Sequence, residues 1–168
     1  MLQLPRHELH KKLVGRANPM RIQLEITRRC NLDCVHCIQG GCSDIAGEMT
    51  AADYERLLPR MSAAGVFSVS LTGGEFLCHP EIHDILGLLL RSDFWLALQT
   101  NGTLLDQDTV DFLARHREKI RAVAVSLYGA TAQAHESVTR SPGSFEKTIR
   151  AIDMLSEAGF RVEVISLL

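Results

Sequence analysis

Apolar and polar residues alternate through Ile22-Gln23-Leu24-Glu25-Ile26-Thr27, the pattern of a strand with one face on a core. The period then lengthens. Tyr54, Leu57, Leu58 and Met61 recur at helical spacing behind Thr50-Ala51-Ala52-Asp53, a capping-box-like start, and Gly65 supplies the stop. Val66 to Leu71 reads as a second strand. Pro80 and Glu81 then open a helix to Leu90 whose dense apolar face suits packing on a sheet. The alternation continues with Phe94 to Leu98 as strand, Asp106 to His116 as helix and Arg121 to Leu127 as strand. A short helix over Ala132 to Thr139 follows, then a longer one over Ser144 to Ala158 closed by Gly159, then Arg161 to Leu168 as a fifth strand.

Strands separated by helices imply crossover connections, so the predicted fold class is α/β with parallel strands and helices outside. Loops that follow the strands of such a sheet gather on one rim, where ligands bind. That rim collects the cysteines, Gly73-Gly74-Glu75, Asn101 and Ser126. No low-complexity tract divides the chain, which reads as an N-terminal extension over residues 1–20 and a core domain over 21–168. Leu9, Leu13 and Val14 in the extension suggest a short amphipathic helix covering one end of the core.

Composition changes this picture little. The 168 residues are 46% hydrophobic, enough for one real core, and the formal net charge of -2 gives no electrostatic reason to expect nucleic acid or an acidic membrane as partner. The longest apolar runs, such as Ile85 to Leu90, are far too short to span a bilayer. A soluble, cytoplasmic protein is expected. Five cysteines, three of them clustered, fit a reducing compartment better than a disulfide framework.

The candidate chemistry lies in Cys30-Asn31-Leu32-Asp33-Cys34-Val35-His36-Cys37, directly after the first strand. A Cys-x3-Cys-x2-Cys loop can turn three sulfurs onto one centre, and thiolate is the soft ligand preferred by zinc and iron-sulfur clusters. Structural zinc and electron-transfer cubanes both take four protein ligands, so three thiols leave one metal corner open to a substrate. Cys42 could close the set and give an ordinary four-cysteine structural site. Cys78 reads as a packed small hydrophobe, and His79 and His83 as polarity at a helix start.

Together with Thr72-Gly73-Gly74-Glu75 at the end of the second strand, this loop resembles the radical S-adenosylmethionine (radical SAM) enzymes. Gln99-Thr100-Asn101-Gly102-Thr103-Leu104-Leu105, and Val125 to Thr131 continuing to Arg140-Ser141-Pro142-Gly143-Ser144-Phe145-Glu146, resemble the branch that often carries a cluster-binding C-terminal SPASM domain. The resemblance implies a partial (βα)6-type barrel with about five βα units present, the sixth unit and any SPASM domain absent, and an exposed parallel edge. It implies that Cys30, Cys34 and Cys37 hold a 4Fe-4S cluster whose fourth iron is chelated by the methionine end of S-adenosylmethionine. Reductive cleavage would then give methionine and a 5'-deoxyadenosyl radical, which abstracts hydrogen from substrate.

The resemblance further assigns cofactor contacts to His36, Gly73, Gly74, Glu75, Ser126 and Arg140. His36 would lie beside the adenine, Glu75 would accept from the cofactor's ammonium, and Ser126 and Arg140 would meet its ribose or carboxylate. Tyr128 departs from the aspartate common in this branch, and Asn101 reads as a turn cap before Gly102. Implied partners are an external one-electron reductant such as flavodoxin or ferredoxin and a substrate that is a peptide, a protein or a cofactor precursor.

Overall fold

The computed structural model describes residues 20–38 and 47–167. Five strands form one sheet in the order β1 (Arg21–Glu25), β2 (Ser68–Thr72), β3 (Trp95–Thr100), β4 (Ile120–Ser126) and β5 (Val162–Ile165), every neighbouring pair parallel. The crossovers carry α1 (Ala51–Ala63), α2 (Ile82–Arg91), α3 (Gln107–Ala114), and the pair α4 (Ala132–Thr139) and α5 (Ser144–Glu157). The predicted α/β class with parallel strands is what the chain adopts.

One face of the sheet packs on the helices. Val69, Leu71, Leu96, Leu98, Val123 and Val125 on the strands, with Ile85, Leu86, Leu89, Ala151 and Leu155 on the helices, are at most 1% exposed. Each large side chain buried this way contributes about 1.5–3 kcal/mol. The alternate strand residues, including Gln23, Ser70, Ala97 and Gln99, line an open concave face instead. Local caps fix where the helices begin. Thr50 accepts from the Asp53 N–H while Asp53 accepts from the Thr50 N–H, the reciprocal box its sequence suggests. Asp106 and Thr131 cap α3 and α4 in the same manner.

The differences from the sequence reading are at element ends. β3 runs on to Thr100, because Gln99 faces the open side and Thr100 is held by a buried carboxylate. The third helix stops at Ala114 and gives way to a 3-10 turn over Arg117–Lys119. β5 is short because only β4 pairs with it. The expected N-terminal helix and Cys42 lie outside the described residues. Among those described, no helix is long and apolar enough to cross a membrane.

Candidate functional site

The cysteine loop leaves β1 and is tied down from three directions. From β2, the Gly74 N–H donates to the Thr27 carbonyl and the Glu75 N–H to the Arg29 carbonyl, both at 2.8 Å. From β3, Asn101 Nδ2 donates to Asn31 Oδ1 at 3.0 Å and lies 4.0 Å from Cys30 Sγ. Asn101 Oδ1 accepts from the Thr103 N–H and hydroxyl, which settles which end of the amide faces the loop. From α4, the Val138 carbonyl accepts from the Val35 N–H at 2.9 Å. Inside the loop, Leu32 N–H points at Cys30 Sγ at 3.5 Å, and Cys37 N–H closes on the Cys34 carbonyl at 3.0 Å.

Gly73 and Gly74 are what let β2 come so close. A Cβ on Gly73 would meet the Thr27 oxygen at 2.3 Å, and one on Gly74 the Arg29 oxygen at 2.4 Å. Both glycines thus serve a close approach to the backbone at the start of the cysteine loop. Glu75 turns the other way and is fully buried, 0% exposed. Its carboxylate accepts from the Thr100 hydroxyl at 2.9 Å, the Asn101 N–H at 2.7 Å and the Leu77 N–H at 3.3 Å. Through these bonds the side chain clamps the ends of β2 and β3 beneath the site.

Burial pushes the Glu75 carboxyl up from 4.5 to about 7, against the pull of its Asn101, Thr100 and Leu77 donors. A folded-state value above the unfolded one stabilises the fold fully below pH about 4.5, and that stabilisation is lost as pH rises through about 7. The full swing is about 3 kcal/mol. We expect the unfolding free energy of the native chain minus that of Glu75→Gln to fall by about this amount between pH 4.5 and 7.5. Parallel pH profiles in chemical denaturation would contradict it.

The remaining rim comes from β4 and α4. Ser126 borders this rim together with Tyr128, whose ring meets His36 edge-on at 4.8 Å and stacks on His135 at 5.8 Å. His135 is 1% exposed; its Nδ1 accepts from the Tyr128 N–H at 3.1 Å, so Nε2 carries the proton, buried and without a partner among the described residues. Burial holds its pKa below the ordinary value. Arg140 stands next to the cysteine loop. It ends α4 in the left-handed conformation (φ 55°) and aims its guanidinium at Asp33 of the cysteine loop, 3.3 Å away. Both side chains of that pair are exposed, so it contributes little to stability.

These elements enclose a cleft of about 440 Å³. Cys30, Cys34, Cys37, His36, Gly73, Gly74 and Ser126 all border it, with Asn101 and Tyr128; Glu75 and Arg140 do not. The donor set fits an iron-sulfur cluster. Three half-buried cysteines border one cleft, and a cluster takes each thiolate on a different iron. Burial raises Cys30, helped by the charges of Glu75 and Cys37, and raises Cys34 to about 11, so a metal centre is needed to keep both as thiolates at neutral pH.

Three supporting residues escaped the sequence reading. Glu48 accepts from the Thr27 hydroxyl and, at 2.9 Å, from Arg29 Nε, bracing the loop's first turn. Burial pushes its carboxyl up, but those two donors outweigh it and hold it below the ordinary value. His79 is not helix-start polarity: it is 3% exposed, with Nδ1 accepting from Glu81 N–H and Nε2 facing the Met49 carbonyl at 3.1 Å. Cys78 is half-buried, and burial pushes its thiol up to about 11, with the charges of Glu75 and Cys30 adding to it. Only the short spacing of the last two to known motifs hinted at such roles.

Comparison with known proteins bears on this geometry. The model of the Radical SAM superfamily matches residues 24–168. The antilisterial bacteriocin subtilosin biosynthesis protein AlbA of Bacillus subtilis (strain 168) is 31% identical over 146 residues, covering 87% of this chain and 32% of AlbA. The AdoMet-dependent heme synthase of Methanosarcina barkeri is 33% identical over 147 residues, covering 87% of this chain and 42% of the synthase. The chain thus spans about a third to two fifths of the length of these relatives. In fold, the crystal structure of Streptococcus suis SuiB bound to S-adenosylmethionine aligns with a TM-score of 0.74 at 22% identity, over 94% of this chain and 34% of SuiB. With a matched family model over nearly the whole chain and the three-thiol loop at its expected place, the chain belongs to the radical SAM superfamily.

Proposed function

We propose that this chain is the cluster- and cofactor-binding part of a radical SAM enzyme of the SPASM-like branch, acting in the cytoplasm on a peptide, a protein or a cofactor precursor. Cys30, Cys34 and Cys37 would hold a 4Fe-4S cluster, and S-adenosylmethionine would occupy the adjoining cleft. When bound, the cluster supplies a low-potential electron, drawn from an external reductant such as flavodoxin or ferredoxin, to cleave the sulfonium into methionine and a 5'-deoxyadenosyl radical. The observation that carries the reading is three thiols on one cleft beside the Gly73-Gly74 backbone.

The chain's own residues then do the positioning. The glycine pair leaves room for ligand and loop backbone together, and its carbonyls are available to an ammonium group. Ser126 offers a hydroxyl to a ribose or carboxylate, and the His36 ring, braced by Tyr128, offers a face for adenine. Glu75 and Arg140 act on the site through Asn101 and Asp33 respectively. Neither needs to touch the cofactor.

Anaerobic reconstitution tests the reading. The protein is expected to turn brown, carry about four irons per chain and release 5'-deoxyadenosine from S-adenosylmethionine under strong reductant. One zinc per chain, lost in Cys42→Ser, with no cleavage after reconstitution would favour a closed four-cysteine structural site instead.

A further inference from the structure

The concave face of the sheet holds a second cavity, of about 560 Å³, that the cysteine cleft does not account for. In closed barrels this space is filled by bulky branched side chains. Here the inward residues are short or polar: Ser68 and Ser70 from β2, Ala97 and Gln99 from β3, Ala122 from β4. Gln99 borders both this cavity and the cysteine cleft, so the two adjoin at that side chain. The far end is basic, with Arg21, Arg121 and Arg161 all on its wall.

Among the described residues, only one of those charges is neutralised nearby. Arg161 pairs with Glu163 at 2.9 Å. Among the described residues Arg21 and Arg121 have no carboxylate partner. Arg121 is also deliberately placed: pairing of β3 with β4 skips from Leu96–Ile120 to Ala97–Ala122, so Arg121 is the bulged residue, and bulges re-aim side chains. Its guanidinium is held 4.6 Å above the Trp95 ring. Ser68 stands in register with both Arg21 and Trp95, so Arg21 and the ring that carries the Arg121 guanidinium share one level of the sheet, with β2 between them.

We infer that this cavity receives the substrate with a carboxylate seated between Arg21 and Arg121. Guanidinium forks suit carboxylates through paired hydrogen bonds. That seat lies four strand residues, about 13 Å, below Gln99 and the mouth of the cysteine cleft. The substrate is thus an acid whose reacting carbon stands off from its anionic group by roughly that span. The inference rests on the proposed function for what happens at the cleft, and not for the anion seat itself. The carboxylate can belong to an acidic side chain of a peptide or to a small organic acid.

Trp95 is the single tryptophan of the chain and reports directly on Arg121. Its emission is to be followed while the full chain is titrated with acetyl-Gly-Glu-Gly-amide, with the glutamine counterpart, and with glutarate. A saturable change with the glutamate peptide identifies a peptide acid, and one with glutarate alone a small acid; the glutamine peptide should give none. Arg21→Gln, which leaves the Trp95–Arg121 stack in place, is expected to weaken binding about tenfold or more with unchanged melting temperature and iron loading. Raising salt should weaken binding in the unaltered protein, a readout that needs no variant. Equal responses to the glutamate and glutamine peptides, or no saturable response to either acid, overturns the inference. Failure of cluster assembly with an intact carboxylate response would overturn only the proposed function.

Discussion

Cys34→Ala is expected to abolish cluster retention while leaving the fold standing. Removing one of three thiolates leaves two irons' worth of anchoring at best, and since even supporting residues around metal sites are worth 10–100-fold, losing a ligand should weaken retention by at least about 100-fold. Iron per chain and the broad visible absorbance after desalting should fall to background, and release of 5'-deoxyadenosine with them. The unliganded chain should lose little, about 1 kcal/mol or less, because the half-buried thiol makes few packing contacts and the Cys37 N–H bond to the Cys34 carbonyl survives. Cys78→Ala is the control. Cys78 is half-buried and does not line the cysteine cleft, so iron should stay bound. Unchanged iron in Cys34→Ala would remove the assignment of the site.

Gly74→Ala should have the largest effect on folding. The added Cβ meets the Arg29 oxygen at 2.4 Å and the Arg28 oxygen at 2.8 Å, and both are backbone atoms that cannot swing aside. The end of β2 must move off the cysteine loop, breaking the Gly74–Thr27 and Glu75–Arg29 hydrogen bonds. Two such bonds at about 0.5–1.5 kcal/mol each, plus the displaced contacts, give a loss of about 2–4 kcal/mol in urea unfolding, with impaired iron retention. Gly143→Ala provides the contrast. Nothing lies within 4 Å of its Cβ position, so only its left-handed backbone (φ 78°) resists, at about 1–2 kcal/mol, and iron should be retained. If the two substitutions cost the same, the close approach is not what Gly74 serves.

Local pattern made the strands and helices readable. Alternating apolar residues mark Val69 and Leu71, or Leu96 and Leu98, as buried, and capping residues such as Thr50 and Thr131 announce their helices within four positions. The thiol loop was readable for the same reason, since its spacing is a local property. What stayed hidden depends on partners distant in sequence. Glu75 finds Thr100 and Asn101, Glu48 finds Thr27 and Arg29, and Arg140 finds Asp33. No periodicity encodes those meetings. A carboxylate beside a glycine pair on the ligand rim invites a ligand role, and only burial reveals that its oxygens are already engaged. His79 misled similarly, because a histidine ahead of a helix looks like surface until Met49 closes over it.

The sheet order follows the chain order, so each βα unit can dock on its predecessor as it leaves the ribosome. The cysteine loop emerges ahead of β2 to β5, yet one of its three moorings, the Val138 carbonyl, is synthesised about a hundred residues later. At roughly 5–20 residues per second, the thiols therefore spend several seconds on a nascent chain before their cradle is complete. Until α4 docks on the loop, Val35 lacks its partner and the loop is held by β2 and β3 alone.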